Sequence, residues 1–232
     1  MPVVKISTEV KIVTETTITV RGEFSRRYPA ERAILTASVS FDGEDREAII
    51  TETADTASTV REHLAELKHD GAITSWSSDR VQVWAERPWN QDGQQLDAVT
   101  HASIGFRLVF TEFDELGRFL SDFSTTAGVA FQQIQWELTD ATRTTATAEV
   151  RSRAVKDAVA KATVFAQSIG LGTVRATALA DPGMLGDQTS PLSPATFAMD
   201  ARMAKSSGDP QLSVNPEDIE VTAQVDARFL AV

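Results

Sequence analysis

Residues 154–174, AVKDAVAKATVFAQSIGLGTV, decide which fold class this chain can adopt. Alanine, lysine and other residues that favour helices fill most of this stretch, and Gly170 can take the left-handed conformation in which many helices end. The Thr and Val residues that follow are typical of a strand. We therefore predict a helix over residues 140–169 that turns directly into a strand over residues 173–180.

Small side chains mark the face of this helix that we expect to be buried. Its apolar residues recur every three or four positions, which predicts a single stripe along the helix. The stripe consists of Val150, Ala154, Ala158, Ala162, Phe165 and Ile169. Further alanines on or beside it are Ala146, Ala148 and Ala166. These small residues permit a close approach, and we expect the partner to be a sheet. Thr139 or Asp140 can cap the first turn.

Gly170 and Gly172 form a Gly-x-Gly sequence, which is also part of the fingerprint that binds dinucleotide phosphates. In that fingerprint the glycines follow a strand and open a helix, because free N–H groups at a helix N-terminus bind the phosphate. Here the order is inverted, so the free groups at the helix end are carbonyls, and the third glycine is missing. We predict a glycine-capped helix end and no nucleotide site.

The whole chain contains seven predicted strands and three predicted helices. Segments rich in Val, Ile and Thr, or alternating between apolar and polar residues, predict strands at 10–22, 28–41, 81–89, 98–110, 129–138, 173–180 and 219–232. The two remaining helices cover 46–70 and 113–127. Strands 81–89 and 98–110 flank a polar loop, which predicts a long antiparallel ladder. The fold class is therefore α+β, with mostly antiparallel sheet on which the long Ala-rich helix and a second amphipathic helix pack.

Alternation and helical period also predict which residues form the core. In strand 28–41 the core face carries Ala33, Leu35, Ala37, Val39 and Phe41, and in strand 98–110 it carries Ile104, Phe106, Leu108 and Phe110. In helix 46–70, which Gly71 ends, the stripe is Ile50, Ala54, Ala57, Val60, Leu64 and Leu67. We expect core positions for the four tryptophans as well, Trp76, Trp84, Trp89 and Trp136, although Trp84 and Trp89 at a hairpin rim can also serve as contact surface.

Composition and charge exclude several classes of function. The 22 Lys and Arg residues against 33 Asp and Glu give a net charge of −11, which repels phosphate backbones, so nucleic acid is not an expected partner. The absence of cysteine excludes disulfides and thiolate chemistry. No segment approaches the roughly 18 consecutive apolar residues of a membrane span, and no secretory signal is visible. We expect no membrane insertion and a cytoplasmic protein.

Three histidines and two acidic clusters are the candidate catalytic and metal-binding residues. His63 and His69 do not have the i, i+4 spacing with which two residues of a helix share one ion. His101 lies on the polar face of its strand. The carboxylates at 42–45 and 112–115 precede helices, and neither cluster has the spacing of a calcium loop. We predict surface or edge roles for all of them, with no catalytic, cofactor-binding or metal-binding residues.

A stretch without helical or strand period covers residues 181–215, longer than most connections within a domain. Its part from 183 to 215 is rich in proline, yet it carries the apolar residues Leu185, Leu192, Phe197, Met199 and Met203. Such side chains require cover, so we predict a loop or arm at 183–215 that contacts another subunit.

The order of these segments resembles the SIMPL family, which is named for a kinase-interacting signalling protein. The resemblance covers roughly residues 10–180 and 216–232. Its most specific part is the Ala/Lys helix that runs into IGLGTV, and further parts are YPAERAILTASVSF, AVTHASIGFRLVF, GVAFQQIQWELTD and the closing PEDIEVTAQVDARFLAV.

The resemblance implies that residues 1–232 form a single α+β domain that tends to self-assemble, with roles linked to stress tolerance or the cell envelope. Many bacterial relatives carry an export signal, whereas none is visible here. The family is not known for a catalytic set, so no site residue is carried over.

Together these features predict a non-enzymatic protein that forms a homo-oligomer. The alternative from another class is a small-molecule hydrolase or isomerase that uses carboxylates together with His101. That alternative requires a deep pocket that contains His101 and an acidic residue with a perturbed pKa.

Overall fold

The computed structural model describes residues 15–186 and 214–232. In this part of the chain, three helices and eight strands form an α+β fold with two mostly antiparallel sheets, which confirms the predicted fold class. The elements are β1 (Thr16–Tyr28), β2 (Arg32–Gly43), α1 (Arg46–His69), β3 (Ile73–Ser78), β4 (Gln82–Glu86), β5 (Val99–Phe110), α2 (Phe113–Phe123), β6 (Val129–Glu137), α3 (Asp140–Ser168), β7 (Val174–Ala180) and β8 (Ile219–Ala231).

The described residues divide into two compact units. Unit 1 comprises residues 15–27, 141–186 and 220–232, and unit 2 comprises residues 28–140 and 214–219. That residues 1–232 make one domain stays a prediction. The predicted arm at 183–215 lies outside the described residues except at its two ends.

Unit 1 is a three-stranded sheet, in the order β1-β8-β7, covered on one face by α3. The strands contribute Ile18, Val20, Val225, Ala227, Phe229 and Ala231 to the core, and the helix contributes Ala154, Ala158, Ala162 and Ala166. Helix and sheet approach closely at Gly22 of β1, where an added Cβ would lie 2.1 Å from the Ala154 carbonyl oxygen and 2.7 Å from the Ala158 Cβ. A sheet is therefore the partner of the alanine stripe, as predicted.

Two residues of the predicted α3 stripe are not buried. Phe165 is 54% exposed and Ile169 is 58% exposed, whereas Ala166 is fully buried. The buried residues of α3 recur strictly every four positions, from Ala146 through Val150 to Ala166. At such close range only small side chains fit against the strands, so the stripe follows the alanines instead of the larger apolar residues.

Unit 2 is a five-stranded sheet in which β5 and β2 are central. Its order is β3-β5-β2-β6, and β4 pairs with β5 beyond the end of β3. The β4–β5 ladder is antiparallel, as predicted. Helices α1 and α2 bury their apolar residues against one face of this sheet, and the core there is built largely from Phe, Leu, Ile and Val side chains, including Leu35, Leu64, Leu108, Phe110 and Phe119.

Several boundaries and faces in unit 2 differ from the predictions. The segment Ile73–Ser78 forms a strand that was not predicted. In α1 the buried stripe begins with Ile49 and Thr53 instead of Ile50 and Ala54. Thr53 can be buried because its hydroxyl donates to the Ile49 carbonyl at 2.8 Å. The prediction of core positions for Trp84 and Trp89 is wrong, because these residues are 48% and 67% exposed.

Candidate functional site: the open edge of the three-stranded sheet

The turn after α3 uses its backbone groups internally. Gly170 has φ 81°, its N–H donates to the Gln167 carbonyl, and the Leu171 N–H donates to the Ala166 carbonyl at 2.9 Å. This pair of bonds is the Schellman motif, so the predicted glycine cap is confirmed. The N–H groups of Gly172 and Thr173 both donate to the Val232 carbonyl, at 2.9 and 3.1 Å. The Gly-x-Gly amides thus join α3 to the end of β8, and none of them is free to bind a phosphate.

Two of the three histidines, His63 and His101, pack against other rings. His63 of α1 contacts the rings of Phe119 and Phe123, with centroids 5.9 and 5.5 Å away. His69 is exposed at the end of α1.

His101 of β5 is partly buried under Trp84, with the ring centroids 5.2 Å apart, and its Nε2 lies 3.4 Å from Oε1 of Glu86. Neither of the clefts described below is lined by His101.

The acidic clusters act at the starts of helices. Asp45 caps α1, because its carboxylate accepts from the N–H groups of Glu47 and Ala48. Glu115 in the first turn of α2 pairs with Arg118. Glu112, Asp114 and Glu115 also line a cleft of about 310 Å³ between the ends of α1 and α2. Residues 15–186 and 214–232 contain no group of three or more His, Asp or Glu side chains placed to hold a metal ion.

One edge of the unit 1 sheet is occupied by side chains of α3. The outward backbone groups of β1 at positions 21 and 23 are satisfied there, because the Glu23 N–H donates to Asp157 at 2.9 Å and Lys161 donates to the Arg21 carbonyl at 3.1 Å. Asp157 and Lys161 also pair with each other at 2.7 Å. The hydrogen bond from Lys161 holds the pKa of Asp157 below its ordinary value. A further strand cannot add to β1 at this point, because the groups it would bind are already engaged.

The other edge of the same sheet is open. β7 pairs with β8 on one side, with a bulge at Thr177 whose hydroxyl donates to the Arg228 carbonyl at 3.0 Å. The described residues provide no hydrogen-bond partner for the outward backbone groups of β7. Such an edge is a template for pairing with another strand.

Exposed apolar side chains are concentrated in unit 1 as well. Leu179 of β7 is 53% exposed, and Phe165 of α3 and Ile169 directly after α3 are more than half exposed. The remaining exposed large apolar residues of the unit are Val159, Val164, Met184 and Val232. Contiguous exposed apolar surface is typical of interaction sites, whereas isolated residues are common on any protein.

Asp226 fixes the chain that leaves β7. Its carboxylate accepts from the Arg21 guanidinium at 2.7 and 3.1 Å and from the Gly183 N–H at 2.7 Å. The hydrogen bonds from Arg21 and then from Gly183 hold the pKa of Asp226 below its ordinary value. One carboxylate on β8 therefore links β1 to the turn that follows β7.

A comparison with family models matches residues 18–229 to SIMPL, described as a protein of unknown function (DUF541). The match spans nearly the whole chain. The protein belongs to the SIMPL family. The resemblance found in the sequence is thereby confirmed, and no curated protein matches the chain. Across the described ranges, no helix of this SIMPL protein is long and apolar enough to cross a membrane.

Proposed function

We propose that this SIMPL protein is a non-enzymatic domain that self-associates, with β7 of one copy pairing with β7 of a second copy. The observation that carries the proposal is the difference between the two edges of the unit 1 sheet. α3 occupies the β1 edge through Asp157 and Lys161, while the outward backbone groups of β7 have no partner within residues 15–186 and 214–232. An antiparallel pair of β7 strands would join two three-stranded sheets about a twofold axis, using the same surface on both copies.

The charge distribution favours this pairing. The chain carries a net charge of −11, which opposes association in general. β7, with the sequence VRATALA, has Arg175 as its one charged residue and no acidic residue. Two β7 strands can therefore approach without juxtaposing carboxylates, and the exposed Leu179 adds apolar contact area.

Two further expectations remain proposals. A role in stress tolerance or at the cell envelope is suggested by the family resemblance, and a cytoplasmic location by the sequence. The contact of the 183–215 arm with another subunit is compatible with pairing at β7, because the arm begins directly after this strand.

The proposal is tested by the mass of the protein in solution. Light scattering at micromolar concentration should give a mass above the 25.2 kDa of one chain. Leu179→Lys places a charge on the open edge and should shift the protein towards the monomer. Val81→Lys is the matched control, because Val81 is also exposed but lies in unit 2. A wild-type mass of one chain, or equal effects of the two variants, would contradict the proposal.

One contact favours the enzymatic alternative, the approach of Glu86 to within 3.4 Å of His101. Glu86 can orient the imidazole as carboxylates do in acid–base catalysis. The indole of Trp84, however, covers one face of this imidazole, and the clefts of about 310 and 400 Å³ are lined by other residues. We therefore favour the non-enzymatic proposal. A hydrolase or isomerase activity that His101→Gln abolishes, with the thermal melting unchanged, would reverse this preference.

A further inference from the structure

A polar cleft of about 400 Å³ lies on the face of the unit 2 sheet that the helices leave open. It forms where β5 changes partners. β3 pairs with residues 106–110 of β5, and β4 pairs with residues 99–103. The chain crosses from β3 to β4 between these two parts of β5. At the crossing the Asp79 N–H donates to the Gly105 carbonyl at 2.9 Å.

Gly105 allows an acidic side chain to lie directly on the sheet. A Cβ at this position would be 2.6 Å from the Asp79 Oδ2, closer than such atoms approach. Asp79 therefore reaches over the central strand β5. Arg107, two residues further along the same face of β5, also lines the cleft. Neither the Asp79 carboxylate nor the Arg107 guanidinium has a hydrogen-bond or ion-pair partner among the described residues.

The rest of the lining consists mainly of uncharged hydrogen-bonding groups. Ser77, Ser103 and Thr36 contribute hydroxyls, which can each donate and accept, and Gln82 contributes an amide. The Ser38 hydroxyl, also in the lining, accepts from the Gln132 amide at 3.1 Å. The cleft thus offers many neutral donors and acceptors together with one negative and one positive charge. A ligand with a large net charge gains little from such a balanced site, whereas a ligand with many hydroxyl groups can bond to most of it.

An aromatic surface continues the same face of β4 and β5. Trp84 follows Gln82 by two residues on β4, and His101 precedes Ser103 by two on β5, so both lie on the face of the cleft. Their rings stack with an interplanar angle of 13°. Trp84 is nevertheless 48% exposed, which leaves part of its indole available to a ligand. An exposed indole next to polar groups offers an apolar contact beside hydrogen bonds.

From this arrangement we infer that the open face of the unit 2 sheet binds a neutral saccharide. The hydroxyl groups of the sugar bond to Asp79, Arg107 and the neighbouring serines, and the C–H face of one ring packs on Trp84. Asp79 and Arg107 suit this role because a carboxylate accepts, and a guanidinium donates, two hydrogen bonds in a plane. The inference rests on unit 2 alone and does not depend on association through β7.

The experiment is a titration of the full-length, isotope-labelled protein with three neutral trisaccharides, maltotriose, cellotriose and triacetylchitotriose, followed by amide NMR. At least one of them should cause saturable shifts of the amides of Ser77, Ser103 and Gly105 and of the Trp84 indole N–H. Asp79→Ala and Trp84→Ala should each weaken binding by about fivefold or more, as expected for the loss of a charged hydrogen bond or an aromatic contact. Gly105→Ala should do the same by displacing Asp79.

Trp89→Ala is the control, because Trp89 is also exposed but lies outside β4 and β5, and its removal should leave the affinity unchanged. Melting curves establish that each variant is folded, and Asp79→Asn replaces Asp79→Ala if that variant is unstable. The inference is overturned if no trisaccharide causes saturable shifts at these amides. It is also overturned if Trp89→Ala weakens binding as much as Trp84→Ala does, or if glycine, a zwitterion, causes the shifts and the sugars do not.

Discussion

In both units helices pack on one face of a sheet, but the side chains between helix and sheet are small in unit 1 and large in unit 2. In unit 1 the helix presents alanines to the sheet, and at Gly22 the strand has no side chain at all. In unit 2 the space between helices and sheet is filled with large side chains, among them the contacting rings of Phe110, Phe119 and Phe131. The packing of helix on sheet in unit 1 therefore requires small side chains, whereas the packing in unit 2 requires large ones.

This difference bears on where each unit can bind a partner. A thin alanine core buries little apolar surface per residue, and unit 1 leaves large apolar side chains such as Phe165 and Leu179 exposed. Unit 2 buries its large residues on the helix side and presents hydroxyls, amides and the Asp79 and Arg107 charges on the other side of its sheet. The apolar unit is suited to contact with another protein chain, and the polar face is suited to a hydrophilic ligand.

The largest effect is expected from removing volume in unit 2. Phe119 is 1% exposed and touches the rings of Phe110, Phe123 and Phe131. Phe119→Ala should lower the free energy of unfolding by about 3–5 kcal/mol, because the rings around it cannot collapse fully into the cavity. Urea denaturation followed by circular dichroism measures this, with Ser124→Ala at the exposed end of α2 as the control. A loss close to that of the control would show that unit 2 is loosely packed and would weaken the comparison.

Adding volume in unit 1 should have the next largest effect. In Gly22→Ala the new methyl group meets the Ala154 carbonyl and the Ala158 Cβ, which belong to a rigid helix and cannot rotate away. We expect a loss of about 2–3 kcal/mol in unfolding free energy, in the range of overpacked cores. Thr19→Ala, on the exposed face of the same strand, should change it by less than about 0.5 kcal/mol. If Gly22→Ala melts like the wild type, α3 does not lie on β1 as closely as described.

The comparison also explains which parts of the fold could be predicted from the sequence. Period and alternation suffice for α3, β2 and β5, because each buries one face over many residues. They fail for β3, whose sequence ITSWSS is short and polar and whose strand state depends on pairing with β5. They also misplace Phe165 and Ile169, since hydrophobic strength favours large residues while the close approach at Gly22 selects alanine.

The candidate sites could not be predicted from the sequence, because they depend on contacts between distant residues. The β1 edge is occupied through a hydrogen bond from the Glu23 N–H to Asp157, 134 positions away. No local sequence pattern relates two such residues. The polar cleft depends on the register that places Ser77 opposite Arg107 and Gln82 opposite Ser103. The glycine cap at Gly170 was predictable because a helix end is a local structure with a characteristic residue.

A smaller effect is expected at that helix end. Gly170 has φ 81°, and no atom lies within 4 Å of the position of an added Cβ, so Gly170→Ala tests backbone strain without a steric clash. The loss of unfolding free energy should be about 1 kcal/mol. Gly172→Ala is the control and should cost less, because Gly172 does not have a positive φ.

Millimolar NAD or ATP should leave the melting temperature of the protein unchanged. A nucleotide-induced rise in melting temperature that either variant removes would restore the cofactor hypothesis.

The smallest effect, and the one with a distinctive pH dependence, concerns Asp226. Its pKa is lowered by the hydrogen bonds from Arg21 and Gly183, so the carboxylate stabilises the folded state above the unfolded pKa of about 3.9. That contribution is lost as the pH falls through the lower folded-state pKa. Asp226→Asn should therefore lower the melting temperature at pH 7, with a free-energy loss of up to about 1 kcal/mol because Arg21 is half exposed and screened by solvent.

The pKa of Asp157 is lowered too, so its protonation should also reduce stability in acid. The informative quantity is therefore the gap in melting temperature between wild type and Asp226→Asn. This gap should be largest at neutral pH and low salt, and it should shrink both below about pH 3.5 and at high ionic strength. Asp181→Asn, next to the same turn but outside the Arg21 pair, should leave no gap at any pH. A gap for Asp226→Asn that is constant from neutral to acid pH would mean that the side chain acts through its shape instead of its charge. Unit 1 would then owe little of its stability to the ion pair between Arg21 of β1 and Asp226 of β8.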